Sequence, residues 1–418
     1  MTCARGLAHQ LNSTLATLAV AIEQLGVVSS LFVEPLREQI VMRRCVLAIL
    51  RVLLVAYSIV VAAYSPLTDD TIQRRLPRPQ PRDFDIKNGP ILAPILIPRV
   101  PGTEGSLKVL DHFVRFFTDE LPSWDISIHN STSRTPTHGD EEVAFRNFIA
   151  RRHPPWADEG HIGYLTLVAH YDSKVEPAGF IGATDSAAPC AMIMSAVRSI
   201  DQALSNRWAK LAESQDDFEL EDEAATGIQI LFLDGEEAFH SWTATDSIYG
   251  ARALAADWDV DTYPALSTYK TKLNSIELFV LLDLLGSGEN LPIPSWMQNT
   301  HWAYQKMADA EQRLRKLGLF ESDAKQTWLP EANKKNDGIF QQTMMQDDHI
   351  PFVARGVPTL HLIPSRFPSQ WHRIGDNAEY LDVKTVQDWS LLTAVFAAEY
   401  LGLDAYFEQR PVLIRDEL

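Results

Sequence analysis

The chain alternates continuous apolar runs with helically spaced ones. Gly163 to Ala169, Ile230 to Leu233, Ile276 to Leu282 and Gly356 to Ile363 are apolar, β-branched stretches. Strands buried on both faces read this way. Between Ser106 and Glu120, Leu107, Leu110, Phe113, Val114 and Phe117 recur at helical spacing, with Ser106 as candidate cap. Ala187 to Leu204, Ser247 to Asp257, Trp302 to Leu317 and residues 383–402 predict further helices. Trp124 to His129 alternates like a strand, 131–142 is a polar loop, and Val143 to Ile149 reads as a strand or a short helix. The pattern predicts an α/β fold: a single domain with a twisted, largely parallel central sheet flanked by helices. No internal repeat is visible.

The ends of the chain depart from this pattern. Residues 1–41 show no domain pattern and read as an upstream extension. Met42-Arg43-Arg44 then precedes an apolar run from Cys45 to Ala63, broken by Arg51 and closed by small residues. A basic segment, an apolar segment and a small-residue site make 42–65 a signal peptide, or a signal anchor if uncleaved, with Met42 as the expected start. The Pro- and Arg-rich stretch 66–90 reads as an extended linker, of which 66–84 precede a catalytic domain at 85–405. The tail 406–418 ends in Arg415-Asp416-Glu417-Leu418, which differs from the Lys-Asp-Glu-Leu retrieval signal at its first position. The expected location is the endoplasmic reticulum lumen, with Golgi or secretion as the alternative. A retrieval receptor is a candidate partner, and the membrane is reached only through an uncleaved anchor. Asn130-Ser131-Thr132 is a glycosylation acceptor.

Composition narrows the function. A net charge of −18 argues against nucleic acid, which needs a basic surface, and otherwise serves solubility. The three cysteines, Cys3, Cys45 and Cys190, have no metal-type spacing, and Cys190 reads as a small buried residue. The chemistry falls at strand ends instead. His170 and Asp172 follow one run, and Asp185 lies in the next turn. Glu236-Glu237 follow the break at Asp234-Gly235, Asp283 ends another run, and His372 sits in a late loop. The carboxyl edge of a parallel sheet is where α/β sites are built. Adjacent carboxylates repel. A metal resolves this when one glutamate ligates it and the other stays free as a proton carrier, although a solvated acidic turn would read the same way. Acids and imidazoles without thiolates suit a catalytic zinc with three protein ligands and an open position.

Longer strings carry a resemblance. They are His170-Tyr171-Asp172-Ser173-Lys174, Gly182-Ala183-Thr184-Asp185-Ser186, Ala187-Ala188-Pro189-Cys190-Ala191-Met192, Asp234-Gly235-Glu236-Glu237 and Asp246-Ser247-Ile248-Tyr249-Gly250. Further on come Leu281-Leu282-Asp283-Leu284-Leu285-Gly286, Asp347-Asp348-His349-Ile350-Pro351-Phe352, and His361-Leu362-Ile363-Pro364 with Phe367 and Trp371-His372. Over residues 85–403 the chain resembles the glutaminyl-peptide cyclotransferases, within the zinc aminopeptidase-like (M28-type) clan. The resemblance implies a single Zn2+ bound by Asp185, Glu237 and His372, with Glu236 as general acid/base. It implies that Asp283 orients the reacting amine and amide, with Asp347 and His361 in a supporting hydrogen-bond network. Trp242, Phe367 and Trp371 would line the pocket for N-terminal glutaminyl peptides, in a monomer. Asp348 leaves open which of the paired acids acts, and Lys174 is either a surface lysine or a partner for an acid near the pocket. Secreted animal members resemble one another in a cysteine, able to pair with the Cys190 position, where this chain has Ala169. The rival is a two-metal aminopeptidase of the same clan using His170, Asp185, Glu237, Asp283 and His372. A catalytically inactive lumenal binding protein of the same fold is the third reading.

Overall fold

One mixed sheet carries the chemistry. Its strands are β1 (Asp125–Arg134), β2 (Glu142–Arg152), β3 (Gly163–His170), β4 (Thr226–Leu233), β5 (Ile276–Leu282) and β6 (Thr359–Leu362). The main helices are α1 (Glu104–Glu120), α2 (Ala188–Glu213), α3 (Tyr249–Val260), α4 (His301–Lys316) and α5 (Val383–Tyr400). This computed structural model describes residues 64–213, 226–323, 325–335, 338–341 and 345–409. The apolar run 45–63, most of the acid-rich stretch 211–223 and the Arg-Asp-Glu-Leu end lie outside the described residues. No described helix is long and apolar enough to cross a membrane.

The strand order is β1-β2-β4-β3-β5-β6. β4, β3, β5 and β6 run parallel, and β1 and β2 add antiparallel to the β4 edge. β3 shows why the run Gly163 to Ala169 is unbroken: every residue in it is buried, because both faces of the sheet are covered. β1 is an edge strand whose positions are all exposed or half-buried, so its sequence is polar. The segment left open between strand and helix is strand β2, paired with both β1 and β4. Strand β1 also runs further than expected, to Arg134, which shortens the polar loop. α1 begins earlier than expected: the Thr103 side chain accepts the Ser106 N–H, so Thr103 is the cap and Ser106 lies inside. β6 begins only at Thr359, after Pro358, which cannot donate to a ladder.

The segment expected as a linker packs instead. Residues from Ser65 onward belong to one compact unit. Between the prolines, 71–75 and 81–84 wind into short helical turns that bury Leu67, Ile72, Leu76 and Phe84. Buried Asp83 is paired with Arg198 of α2, and Leu67 N–H donates to Glu399 of α5 at 2.9 Å. A Phe84→Ala substitution is expected to destabilise the domain by about 3–5 kcal/mol, as for other buried aromatics. A urea unfolding curve that this change leaves in place would show that the segment contributes nothing to the core.

Candidate active site

Parallel strands bring the chemistry to one level. His170 lies opposite Leu233, and Val168 opposite Leu281, so the ends of β3, β4 and β5 are in register. Past β4 the chain turns at Gly235, with φ of 77°. A Cβ there would come within 2.4 Å of the Phe145 ring, so the turn requires glycine. Asp246 braces the loop that follows, accepting the Phe239, His240 and Ser241 N–H groups at 2.9 Å each.

Glu236 and Glu237 are 6% and 3% exposed, which removes the solvated-turn reading. Asp172 sets their position: Oδ1 accepts the Glu236 N–H at 3.0 Å and Oδ2 the Glu237 N–H at 3.1 Å. Their surroundings then differ. Glu237 faces Asp185 and His372, whereas Glu236 feels the charges of His170, Asp347 and Asp348 as well as its neighbour's. Burial, reinforced by those nearby carboxylates, pushes the Glu236 carboxyl well above the ordinary range.

The donor atoms of Asp185, Glu237 and His372 lie within 4.8 Å of one another. His372 Nε2 is 3.5 Å from Asp185 Oδ2 and 3.3 Å from Glu237 Oε1. Asp185 Oδ2 and both Glu237 carboxylate oxygens are buried with no hydrogen-bond donor. Buried carboxylate oxygens left in this way are costly, and a divalent cation fits a set of one imidazole and two carboxylates. Lys174, open as surface or partner in the sequence, has its Nζ 3.5 Å from Glu237 Oε2. Burial opposes charge on His372, yet Asp185 and Glu237 raise its pKa to about 9, so metal binding there displaces a proton.

A neighbouring set has a different character. His170, Asp185 and Asp283 also group within 4.8 Å, but they are tied to one another. His170 Nε2 donates to Asp185 Oδ1 at 3.0 Å, and its Nδ1 is 3.3 Å from Asp172 Oδ1. Asp283 Oδ1 accepts from Ser186 Oγ and from the Leu284 N–H, the latter at 2.8 Å. Burial disfavours a charged His170, but the hydrogen bonds to Asp172, Asp185 and Asp283 outweigh it and raise its pKa well above the ordinary value. Asp347 and His361 form a further pair, Oδ2 to Nε2 at 2.6 Å, with the His349 ring 4.4 Å from that of His361. Burial pushes the Asp347 carboxyl well above the ordinary range and His361 down to about 4. Asp348 is buried too, with neither carboxylate oxygen hydrogen-bonded.

The aromatic residues divide between two apolar clusters. Phe367 packs with Leu284, Trp296, Met297 and Ile363 and lies 4.6 Å from the Trp371 ring. Trp371 stacks on His372 at 3.8 Å, over the metal-type set. Trp242 packs on the other side with the β4–α3 core, and its Nε1 donates to Gln346 at 2.7 Å, next to Asp347. His372 and Leu284 hold φ of 54° and 56°, left-handed conformations that non-glycine residues adopt at a cost and that cluster at functional sites.

Sequence reasoning missed two supports of the Asp185 loop. Arg99 is fully buried, and its guanidinium donates to the carbonyls of Ile181, Gly182 and Asp185. Asp376 accepts the Thr184 N–H and hydroxyl at 2.9 and 3.0 Å. Arg99 had a visible signal, a lone cation within the apolar, proline-flanked run 95–101. Asp376, in the polar stretch after His372, had none. Cys190 is a free, buried thiol whose Sγ donates to the His170 carbonyl at 3.3 Å.

A mixed α/β sheet with buried acids and imidazoles gathered at its carboxyl edge defines a peptidase-type scaffold, and Peptidase family M28 matches residues 154–397. A glutaminyl-peptide cyclotransferase-like protein of Mus musculus is 37% identical over 75% of this chain and 75% of its own length. Glutaminyl-peptide cyclotransferase of Drosophila melanogaster is 39% identical over 73% of this chain and 78% of its own. The crystal structure of Macrostomum lignano glutaminyl cyclase superposes with a TM-score of 0.64 at 29% identity, covering 84% of this chain and 97% of that one. The chain belongs to the glutaminyl-peptide cyclotransferase family within M28.

Asp172 touches no donor atom of the metal-type set except through the Glu236–Glu237 backbone and His170. An Asp172→Asn variant keeps one acceptor oxygen and loses the other. It is expected to bind a divalent metal about 10- to 100-fold more weakly, the usual cost of losing such support. Competition against a chelator reads this directly, and an unchanged affinity would remove Asp172 from the site.

Proposed function

We propose that the protein cyclises N-terminal glutaminyl residues of peptides and proteins to pyroglutamate, releasing ammonia. The observation carrying this reading is the contrast between the two donor sets. The Asp185–Glu237–His372 set has oxygens without donors, whereas the His170–Asp185–Asp283 set is tied up by Ser186, Leu284 and His170. That contrast favours a single metal. Asp185, Glu237 and His372 would hold a zinc ion, which when bound supplies Lewis-acid polarisation of the substrate's γ-carbonyl.

The chain's own groups do the rest. Glu236 accepts a proton from the α-amine as its nitrogen attacks the carbonyl carbon of the side-chain amide, then gives it to the amide nitrogen as the C–N bond breaks and ammonia leaves. Its carboxyl, raised well above the ordinary range by burial, suits a group that must both take and return a proton. Asp283, held by Ser186 and the Leu284 amide, orients the amine and the amide. The hydrogen-bonded Asp347–His361 pair supports that arrangement. Trp242, Phe367 and Trp371 supply apolar walls that exclude water, which favours the tethered amine over hydrolysis. The second reading, a two-metal aminopeptidase, rests on the proximity of His170, Asp185 and Asp283.

Purified protein is expected to release ammonia and pyroglutamate from Gln-peptides without hydrolysing Leu-p-nitroanilide. Amino-acid release from the second substrate would favour the aminopeptidase. Glu236→Gln should lower kcat about 10²- to 10⁴-fold, the scale of a lost general base. A variant of normal rate would take the proton transfer away from Glu236. Elemental analysis is expected to find one zinc per chain, removed by chelation together with activity and restored by adding zinc back. Two zinc ions per active chain would contradict the single-metal site.

A further inference from the structure

Beside Trp242 lies a cavity of about 440 Å³ that the mechanism does not use. Trp242, Ile350 and Pro351 give it apolar walls, and Gln346, Arg252 and Arg355 give it polar ones. Trp242 and Gln346 are joined at 2.7 Å, and Gln346 precedes Asp347, so the cavity shares a wall with the reaction centre.

Of its two arginines, Arg252 is held in place without a carboxylate partner among the described residues, and Arg355 has an exposed one. Arg252 leaves α3 with its guanidinium 4.9 Å from the Tyr249 ring centre. Nη1 and Nη2 donate to the carbonyls of Ala244 and Thr245 at 2.9 and 3.2 Å, which fixes the plane of the group. Its Nε is buried without an acceptor, and among the described residues it meets no carboxylate. Arg355 donates to the Pro351 carbonyl at 2.9 Å and has only a half-exposed partner, Asp259, at 3.4 Å. In a chain of net charge −18, a fixed guanidinium without a counter-ion at the mouth of an apolar cavity is the exception. A planar guanidinium held in this way suits a carboxylate.

Resting on the cyclisation reading above, we infer that this cavity takes the downstream part of the substrate peptide, and that Arg252, assisted by Arg355, selects a carboxylate carried there. Trp242 then serves both sides, walling the glutaminyl group and supporting the residues that follow it. The carboxylate is an acidic side chain or the C-terminus of a short peptide.

The test measures kcat/KM on the intact metal-loaded enzyme. One peptide series begins with Gln, carries a single Glu at successive downstream positions and has an amidated end. Its matched controls replace that Glu with Gln. Another arm uses short Gln-peptides with free or amidated ends, which separates a terminal from a side-chain carboxylate. At one position or at the free terminus, the carboxylate is expected to raise kcat/KM about three- to tenfold, the scale of a charge-assisted contact at a half-exposed site. The gain should shrink in high salt. Arg252→Gln is expected to abolish it and Arg355→Gln to reduce it. Both should leave turnover of a glutaminyl amide lacking any downstream residue unchanged, which also reports that each variant is folded. Equal rates for acid and amide peptides at every position, or a preference that survives Arg252→Gln, would overturn the inference while cyclisation of the short amide stands. No cyclisation of the short amide would overturn both readings together.

Discussion

Burial of like charges is the constraint on which the rest of this structure depends. Asp172, Asp185, Glu236, Glu237, Asp283, Asp347 and Asp348 all lie within the protein at the carboxyl edge of one sheet. In a medium of low dielectric such a group cannot stay ionised together without compensation. Asp348 has no hydrogen bond to either oxygen, and the others are compensated in different ways. Asp172 uses backbone amides, Asp185 shares an imidazolium with the others, and Asp347 is hydrogen-bonded to His361. Glu237 accepts no hydrogen bond at either oxygen and faces the nitrogens of His372 and Lys174 at 3.3 and 3.5 Å. Glu236 has the charges of Glu237, Asp347 and Asp348 around it, opposed by that of His170, and burial raises its carboxyl well above the ordinary range.

The scaffold makes this arrangement affordable. Parallel neighbours end level, so residues far apart in the chain converge without long loops. The sheet beneath is solidly apolar, and its burial offsets the cost of the polar rim. Arg99 adds a cation under the Asp185 loop, and its donors go to five carbonyls rather than to a carboxylate. It fixes the loop while contributing positive charge behind it.

Much of this was legible because buried parallel strands write themselves as continuous apolar runs. The acids that follow such runs are then candidates by position alone, and Asp185, Glu237, Asp283 and His372 are indeed brought together. The misses have physical causes. Residues 66–84 read as a linker because prolines interrupt their apolar positions, yet Ile72, Leu76 and Phe84 each find a core pocket through short turns that periodicity does not reveal. Val143 to Ile149 was ambiguous because one face meets the core while the edge strand β1 covers its side, which blurs a two-residue period. Asp376 was invisible because its role is a hydrogen bond to Thr184, nearly two hundred residues away in sequence.

The same logic separates one-metal from two-metal chemistry on a shared set of residues. Ligand identity does not count the ions, since the rival reading uses the same His170, Asp185, Glu237, Asp283 and His372. Occupancy of their lone pairs does bear on the number. Where Ser186 Oγ and the Leu284 amide already donate to Asp283, and His170 to Asp185, a second cation would have to displace hydrogen bonds that are in place. Where Glu237 and Asp185 Oδ2 accept no hydrogen bond, a cation would displace none and would take only the proton of His372. On the proposed reading Asp283 is no ligand and would hold the reacting amine and amide, which an intramolecular cyclisation needs more than it needs an activated water.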